Sequence, residues 1–479
     1  MATVADVLRR FKRDPLGVLD QDRVEQVCRR VGHRWREREL DPATTIALFV
    51  RQVIEGNCPC TEVPHLAGRA FTAGAYCQAR TRLPLAVITQ LDAAVVGAIL
   101  PPPSPPPLPS IPPPPSLAAS PGARRLWLGR HRTVLIDGTT FAMADADGMA
   151  KRYGVASGRA AGCSYPLAHL LLTFDAASGL LLGRVASPFH TGDLNDAPQL
   201  HAHLRAGDVL VGDEAFGSYA HLALLRARGA HGVFPVHHGR IVDFTPHRPH
   251  RTDAQRHQRP DNPAEATARR AMPTSRFVRS LGYQDQLVEW HKPAQRPPWL
   301  SQAAYDALPP TLLVRELRRT LRRPGRRSAV TLTMVTTLLD PHDYPAHAIR
   351  ALRLSRWDVE TDIRCLKTTM GMTQLRCRTE DGMLKEVAVF CLVYNLVRVV
   401  MLQAAARQEV AVDRVSFADA LAWMRHARPG DALPTLRVNP RRPGRQEPRL
   451  CKRGPDTFPP MNKSRRQHRA ELKNSGKSP

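Results

Sequence analysis

The run of prolines between Pro101 and Pro115 places the strongest constraint on how this chain folds. Eleven of these fifteen residues are prolines, which lack a backbone donor and favour the extended polyproline II conformation. Neither a helix nor a central strand can pass through such a run. We interpret residues 101–122 as a stiff linker, although a peptide-recognition segment has a similar composition. The linker divides the chain into two parts that fold differently.

The charge of the chain indicates its partner. The 479 residues carry a formal net charge of +26, and a surface this basic is typical of proteins that bind a polyanion, nucleic acid first of all. An apolar fraction of 43% excludes wholesale disorder. A mean hydropathy of −0.32 argues against a polytopic membrane protein, so the apolar stretch 387–406 is predicted to be a buried helix rather than a span.

Residues 1–100 are predicted to form an all-helical DNA-binding domain. One helix is expected to begin after the N-cap residue Asp41, and another after Thr72. The second helix carries Arg80 and Arg82 and follows a shorter helix, an order that is typical of a helix-turn-helix. An ordinary three-helix packing with a basic outer face has the same pattern, so both interpretations stay open.

Beyond the linker the pattern changes to α/β. Strands are predicted at 133–136, 167–174, 180–185, 209–211 and 231–236, and helices at 197–204 and 218–228. The predicted segments are 123–236 as the first part of an α/β core, 237–340 as a β-rich insertion, 341–410 as the helical second part of the core, and 411–479 as a basic tail. From Arg437 to Pro479 there are 13 basic and 3 acidic residues, so the end of the tail is expected to be disordered and attracted to nucleic acid.

Three acidic residues are candidates for chemistry. Asp137 and Asp213 follow apolar strands, and Glu360 lies in a helix predicted over 346–367. Carboxylate oxygens are the ligands that Mg²⁺ or Mn²⁺ prefers. Two such ions held by three carboxylates can activate a water or a 3′-hydroxyl for attack on a phosphodiester.

The helix around Glu360 also presents cations. At about 100° per residue, Arg353, Arg356, Glu360 and Lys367 share one face of that helix. A surface salt-bridge ladder explains this spacing, since Arg356 and Glu360 are an i,i+4 pair. Alternatively, Glu360 completes a metal-binding cluster while the cations hold phosphates beside it.

Other candidates are weaker. Trp290 and Trp357 are expected to pack in the core or to stack on an exposed base. The 19 histidines show no ligand pattern on one helix face and are interpreted as structural. Seven arginines between Arg315 and Arg327 form either a solvated turn or a phosphate contact. The sequence contains no glycine-rich phosphate loop, so no nucleotide cofactor is predicted.

Several ordered motifs carry a resemblance to a known family. They are Asp137-Gly138-Thr139, Gly212-Asp213 followed by Ala215-Phe216-Gly217-Ser218-Tyr219, Arg356-Trp357-x-x-Glu360-x(6)-Lys367, Thr336-Thr337-Leu338-Leu339-Asp340 and Tyr394-Asn395-Leu396-Val397-Arg398. Over roughly residues 30–406 the chain resembles the DDE transposases of the insertion sequence four family.

The resemblance implies a fold and a site. It implies a ribonuclease H-like catalytic core with a β-rich insertion, in which Asp137, Asp213 and Glu360 hold two Mg²⁺ ions (or Mn²⁺). Arg356 and Lys367 match the family's signature positions for contacts to DNA phosphates. The chain departs from the family pattern where Arg353 replaces a tyrosine, Glu214 follows the second aspartate, and Pro235 replaces a frequent arginine.

The resemblance also implies partners and an activity. The expected protein is a bacterial, cytoplasmic, nucleoid-associated transposase that binds double-stranded DNA, both element ends and target, as a homodimer. It would cut DNA and transfer the freed strand in a metal-dependent reaction. The DNA contacts are assigned to Arg353, Arg356, Lys367, Arg80 and Arg82, together with Trp357. The alternative is a catalytically degenerate or repurposed transposase that acts only as a DNA-binding protein.

Overall fold

A computed structural model describes residues 19–440 apart from 69, 101–125, 147, 157–163, 252–271, 323–328 and 428–430, together with 463, 467, 470, 471 and 474. The predicted proline linker and most of the predicted basic tail lie outside the described residues.

Helices make up the regular structure described before the linker. They are α1 (Gln21–Arg30), α2 (Pro42–Ile54), α3 (Val63–Ala67), α4 (Ala73–Arg82) and α5 (Leu85–Ile99). The Asp41 carboxylate accepts a hydrogen bond from the amide of Thr44 at 2.6 Å, and the Thr72 hydroxyl accepts one from Ala75 at 3.1 Å. Each bond satisfies an amide that has no partner within its helix, so both predicted N-caps are confirmed.

In the described part of the chain after the linker, nine strands form one mixed sheet. Its first five strands, with the helices between them, are β1 (Thr133–Ala142), α6 (Met149–Tyr153), β2 (Leu167–Asp175), β3 (Leu181–Pro188), α7 (Asp193–Leu200), β4 (Val209–Val211), α8 (Tyr219–Ala227) and β5 (His231–Pro235). The pairs β1–β4 and β4–β5 are parallel, whereas β1–β2 and β2–β3 are antiparallel. The mixed α/β prediction is confirmed.

The strands of the predicted insertion continue this same sheet. They are β6 (Ser275–Gly282), β7 (Asp285–His291), β8 (Thr311–Arg322) and β9 (Ala329–Thr336), with a short helix α9 (Gln302–Asp306). Because β9 pairs antiparallel with β5, the strand order is β3-β2-β1-β4-β5-β9-β8-β7-β6. The insertion therefore extends the sheet outward from β5.

The helix predicted over 346–367 is wrong as a single element. The chain forms α10 (Ala346–Leu354) and α11 (Trp357–Arg364), followed by a π-helical turn at Cys365–Thr369. The Ser355 hydroxyl donates to the carbonyl of Leu352 at 2.6 Å, and such local side-chain bonds compete with the helical ladder. The break occurs beside this bond, so Arg353 and Glu360 do not belong to one continuous helix.

The longest helix joins both parts of the chain. Helix α12 (Glu380–Arg407) is long and apolar enough to cross a membrane, but 89% of its most apolar window is buried inside the protein. It packs against α5, α2 and α13 (Phe417–His426). One hydrophobic core runs from Val24 in α1 through β1 to α12. The predicted buried helix is confirmed, and it links the N-terminal helices to the sheet.

Candidate active site

Strand pairing places two of the predicted acids side by side. In the parallel pair β1–β4, Leu135 is opposite Val211. Two residues further, Asp213 follows the end of β4, as predicted, whereas Asp137 still lies within β1, so its predicted position after the strand is wrong. Side chains alternate between the two faces of a sheet, so both acids lie on the same face as Leu135 and Val211. On that face, Leu135 and Val211 belong to the hydrophobic core that also contains residues of α11 and α12. The buried apolar residues of β1 and β4 that precede the two acids therefore fix their positions.

Arg356 connects Glu360 to these acids. One guanidinium nitrogen of Arg356 lies 3.1 Å from Oδ2 of Asp137, and the other lies 2.9 Å from Oε1 of Glu360. The Arg356 side chain is only 12% exposed. The i,i+4 pair predicted from the helix therefore exists, but it is a partly buried bridge between α11 and β1 rather than a surface ladder.

The three carboxylates influence one another electrostatically. Burial raises the pKa of Asp137 to about 6; Arg356 opposes this shift, and the charges of Asp213 and Glu360 add to it. Burial likewise raises the pKa of Asp213, and the nearby charge of Asp193 raises it further. Desolvated carboxylates that repel one another favour a cation among them. Their donors are all oxygen, which fits hard ions such as Mg²⁺ or Mn²⁺.

The other predicted cations lie beside the same cluster. Burial lowers the pKa of Arg353 to about 10, the charge of Arg356 lowers it further, and attraction to Asp213 and Asp137 opposes the shift. Lys367, in the π-helical turn, donates to the hydroxyl of Thr139 at 3.1 Å. Despite the broken helix, the structure thus brings Arg353, Arg356 and Lys367 to the site.

A histidine–aspartate pair that the sequence analysis missed packs against the glycine after Asp137. Nε2 of His169 lies 2.8 Å from Oδ1 of Asp193. A Cβ added to Gly138 would lie 2.4 Å from that oxygen and 2.7 Å from the imidazole, so only glycine fits there. A glycine inside a strand often marks such a close approach, which is the signal that could have identified the pair.

A second group of side chains that could bind a metal ion includes Glu214, the residue after Asp213. Glu214, His237 and His238 are exposed, and their ligand atoms lie within 4.8 Å of one another. Nδ1 of His237 accepts a hydrogen bond from the amide of Gly239 at 3.1 Å, whereas a metal-bound histidine usually donates from its second nitrogen. We therefore assign no metal role to this group.

Arg80 and Arg82, two predicted DNA contacts outside the acidic cluster, differ in their burial. The buried guanidinium of Arg80 donates to Sγ of Cys377 at 2.9 Å and lies 3.7 Å above the Phe49 ring. This placement corrects the expectation for Arg80, because the group is engaged within the protein while Arg82 is exposed. Trp357 begins α11, but its side chain lies outside the described residues.

Packing decides the alternative for Trp290, whereas the structure describes only the start of the arginine-rich stretch, whose two interpretations stay open. Trp290 is fully buried and donates to the Glu316 carboxylate at 2.8 Å, so its core interpretation is confirmed. At the start of the arginine-rich stretch, Arg315 is 1% exposed and pairs with Asp285 at 2.6 Å. Residues 323–328 of that stretch lie outside the described part of the chain.

The geometry defines an α/β protein with a cluster of carboxylates and cations where the parallel pairing of β1 and β4 ends. The family model described as "Transposase DDE domain" matches residues 128–396, more than half of the chain, and the chain belongs to that family. Among solved structures the chain is similar to the cryo-EM structure of a piggyBac transposase synaptic complex with hairpin DNA. The identity is 10%, the match covers 88% of this chain and 80% of that chain, and the TM-score is 0.40. A search of curated proteins finds no match.

Proposed function

We propose that this DDE transposase belongs to the insertion sequence four group, cuts DNA at the ends of its element and joins the freed 3′ ends to target DNA. The observation that supports the proposal most directly is the grouping of Asp137, Asp213 and Glu360 around Arg356 beside the paired strands β1 and β4. A water or 3′-hydroxyl attacks phosphorus, and the leaving oxygen departs as the other bond breaks. Strand transfer exchanges one phosphodiester for another, so it needs no nucleotide fuel.

Each residue of the site has a proposed role. Asp137, Asp213 and Glu360 would hold one or two Mg²⁺ or Mn²⁺ ions, which supply Lewis acidity toward the phosphodiester. Arg353 and Lys367 would hold phosphate oxygens of the scissile strand by charge-assisted hydrogen bonds. Arg356 already compensates two carboxylates, so it would position them as well as contact DNA.

The remaining parts of the proposal concern recognition and assembly. The N-terminal helices would bind the inverted-repeat ends, with Arg82 as the exposed contact on α4 and Trp357 as a contact at the catalytic helix. Two copies of the chain would hold two ends at once. The net charge of +26 supports binding to double-stranded DNA, the bacterial nucleoid being the expected location.

The test is cleavage of labelled DNA that carries the element's own ends, with Mg²⁺ or Mn²⁺ present. We expect Asp137→Asn and Glu360→Gln to lower cleavage about 100-fold or more, as loss of an electrostatic catalytic group does, while DNA affinity is kept. Glu409→Gln, a neutralised exposed carboxylate outside the site, is the matched control and should cleave normally.

Three outcomes separate the alternatives. Joined products show transposition, whereas cut ends without joined products would indicate a metal-dependent nuclease. If the unmodified protein binds DNA but never cleaves it with any divalent ion, the chain is a DNA-binding protein that has lost its chemistry. Equal cleavage by the wild type and Asp137→Asn would refute the assigned site.

A further inference from the structure

A basic cavity lies among the N-terminal helices, and no role has been assigned to it above. It has a volume of about 430 Å³ and is formed between the loop that joins α1 to α2 and the end of α4. Its volume falls within the range typical of ligand sites, roughly 300–1,000 Å³. Four arginines line it: Arg34, Arg36, Arg38 and Arg82.

The cavity combines exposed positive charge with buried lining residues. All four arginines are exposed, whereas Leu83, Ala79 and Thr45, which also line it, are buried. Two acids of the same loop, Glu37 and Glu39, are exposed but are not among the residues that line the cavity. The lining therefore carries four positive charges and no acidic side chain.

An aromatic ring stands among these cations. Trp35 lines the cavity and is only partly buried. Its ring is stacked with that of His33 at a centroid distance of 6.0 Å and an interplanar angle of 22°, and the guanidinium of Arg29 lies 5.8 Å from the indole centroid. These contacts hold the indole in place beside the arginines.

A buried, ion-paired lysine lies close to the cavity. Nζ of Lys385 donates to the carbonyl of Thr81 at 2.9 Å, next to Arg82, and pairs with the Asp381 carboxylate. Burial, together with the charge of Lys385, lowers the pKa of His33, so that ring stays neutral and can pack against Trp35 near pH 7. Guanidinium groups match phosphate oxygens, and an indole stacks on a base with little preference for sequence.

We propose that this cavity binds one nucleotide of a DNA strand, with its phosphate on the arginines and its base against Trp35. The proposal rests on the function proposed above and adds a second DNA contact remote in sequence from the acidic cluster. A base inside a duplex is already stacked on its neighbours, so the occupant is an unpaired or displaced nucleotide. DNA with a single-stranded extension should therefore bind better than the same blunt duplex.

The first measurement is fluorescence anisotropy with a labelled duplex that carries a single-stranded 3′ extension, over a range of salt concentrations. Arg34→Gln/Arg38→Gln removes two charges from the cavity, and Arg226→Gln/Arg279→Gln removes two exposed charges elsewhere. Each lost phosphate contact to a single strand lowers the slope of log affinity against log salt by about 0.7. Because the cavity holds one phosphate, we expect the cavity variant to lower the slope by about 0.7 and the control to leave it unchanged; equal slopes for both variants would overturn the phosphate contact.

The second measurement tests the base. Trp35→Ala should weaken binding of a duplex with a single-stranded 3′ extension about tenfold, as loss of base stacking does, and should leave blunt-duplex affinity and the salt slope unchanged. Trp35→Phe should restore most of the lost affinity. Equal weakening for both probes, or no weakening, would overturn the stacking contact, and thermal unfolding of each variant checks that the fold is intact.

The two proposals can fail separately. If the wild type cuts DNA but the cavity variants bind like their control, only the cavity assignment is refuted. If the wild type never cuts DNA, the catalytic proposal fails, while the anisotropy measurements still decide the cavity. Glu409→Gln, which changes an exposed residue outside both sites, should bind both probes like the wild type.

Discussion

Replacing His201 by Gln is expected to make folding stability less sensitive to acid between about pH 7.5 and pH 5. His201 and His221 are buried and their Nε2 atoms lie 2.9 Å apart. Nδ1 of His221 lies 2.8 Å from the carbonyl oxygen of Phe216, so it donates there, and its Nε2 accepts from His201. This arrangement requires a neutral His221, and burial favours the neutral form of His201.

The magnitude follows from the pKa shifts. Burial lowers the pKa of His201 to about 3 and that of His221 to about 4, whereas histidine in an unfolded chain titrates near 6.5. Below about pH 6.5 the unfolded state therefore binds more protons than the folded state, and stability falls as the pH falls. Between pH 7.5 and pH 5 each histidine accounts for a loss of about 2 kcal/mol.

The glutamine variant isolates one of these contributions. Its amide can still donate to His221 but does not titrate, so the variant should lose about 2 kcal/mol less than the wild type over the same pH interval. The raised pKa values of Asp137 and Asp358, each about 6, act in the opposite direction. They are common to both proteins, so they cancel in the difference.

The assay is urea unfolding followed by circular dichroism at the two pH values. The same acid-induced loss in the wild type and His201→Gln would refute the reasoning. The result also matters for the site, because Phe216 ends the short helix Glu214–Phe216, whose N-cap residue is Asp213. Protonation of the pair should therefore loosen the turn that positions this acid.

Three further predictions follow from particular contacts. Gly212→Ala should destabilise the fold by about 1–3 kcal/mol in thermal unfolding, because the added Cβ would lie 2.6 Å from a ring carbon of Phe216. The control Gly97→Ala should be neutral or stabilising, because its Cβ would meet nothing within 4 Å. Equal effects of the two variants would contradict the packing argument. Arg80→Ala should lower the melting temperature more than Arg82→Ala, because only the former guanidinium is buried and bonded, and the reverse order would refute its packing role. Because protonation of Asp137, with its pKa of about 6, competes with cation binding, Mn²⁺ affinity measured by calorimetry should fall about fourfold from pH 7.5 to pH 5.5, and a pH-independent affinity would contradict the assignment.

Much of the fold could be predicted because its elements are encoded locally. Apolar runs bounded by turn residues indicated the strands that pair as β1 to β5, and the N-caps Asp41 and Thr72 set the starts of two helices. Strand edges near 136 and 185 were less well predicted: β1 runs to Ala142 and β3 to Pro188. Pairing with β2 extends both strands beyond the apolar pattern.

The break between α10 and α11 could not be predicted from the helical pattern. The apolar and basic spacing continues through Ser355, where the hydrogen bond of its hydroxyl to Leu352 lies at the break. A local side-chain bond of this kind leaves no trace in the spacing of apolar residues. Arg353 and Glu360 still both lie near Asp137, although they belong to two helices.

The amino-acid sequence alone determined the classes of secondary structure, the identity of the candidate acids and the family, because periodicity and motifs are local properties of the chain. Tertiary structure alone decided that Arg356 bridges Asp137 and Glu360, that Arg80 is buried, and that Trp35 joins a cavity with Arg82. Each of these contacts joins residues far apart in the sequence. The burial of such a side chain, the charges around it and its distance to its partners are set only when separate elements pack together. No local sequence pattern encodes them.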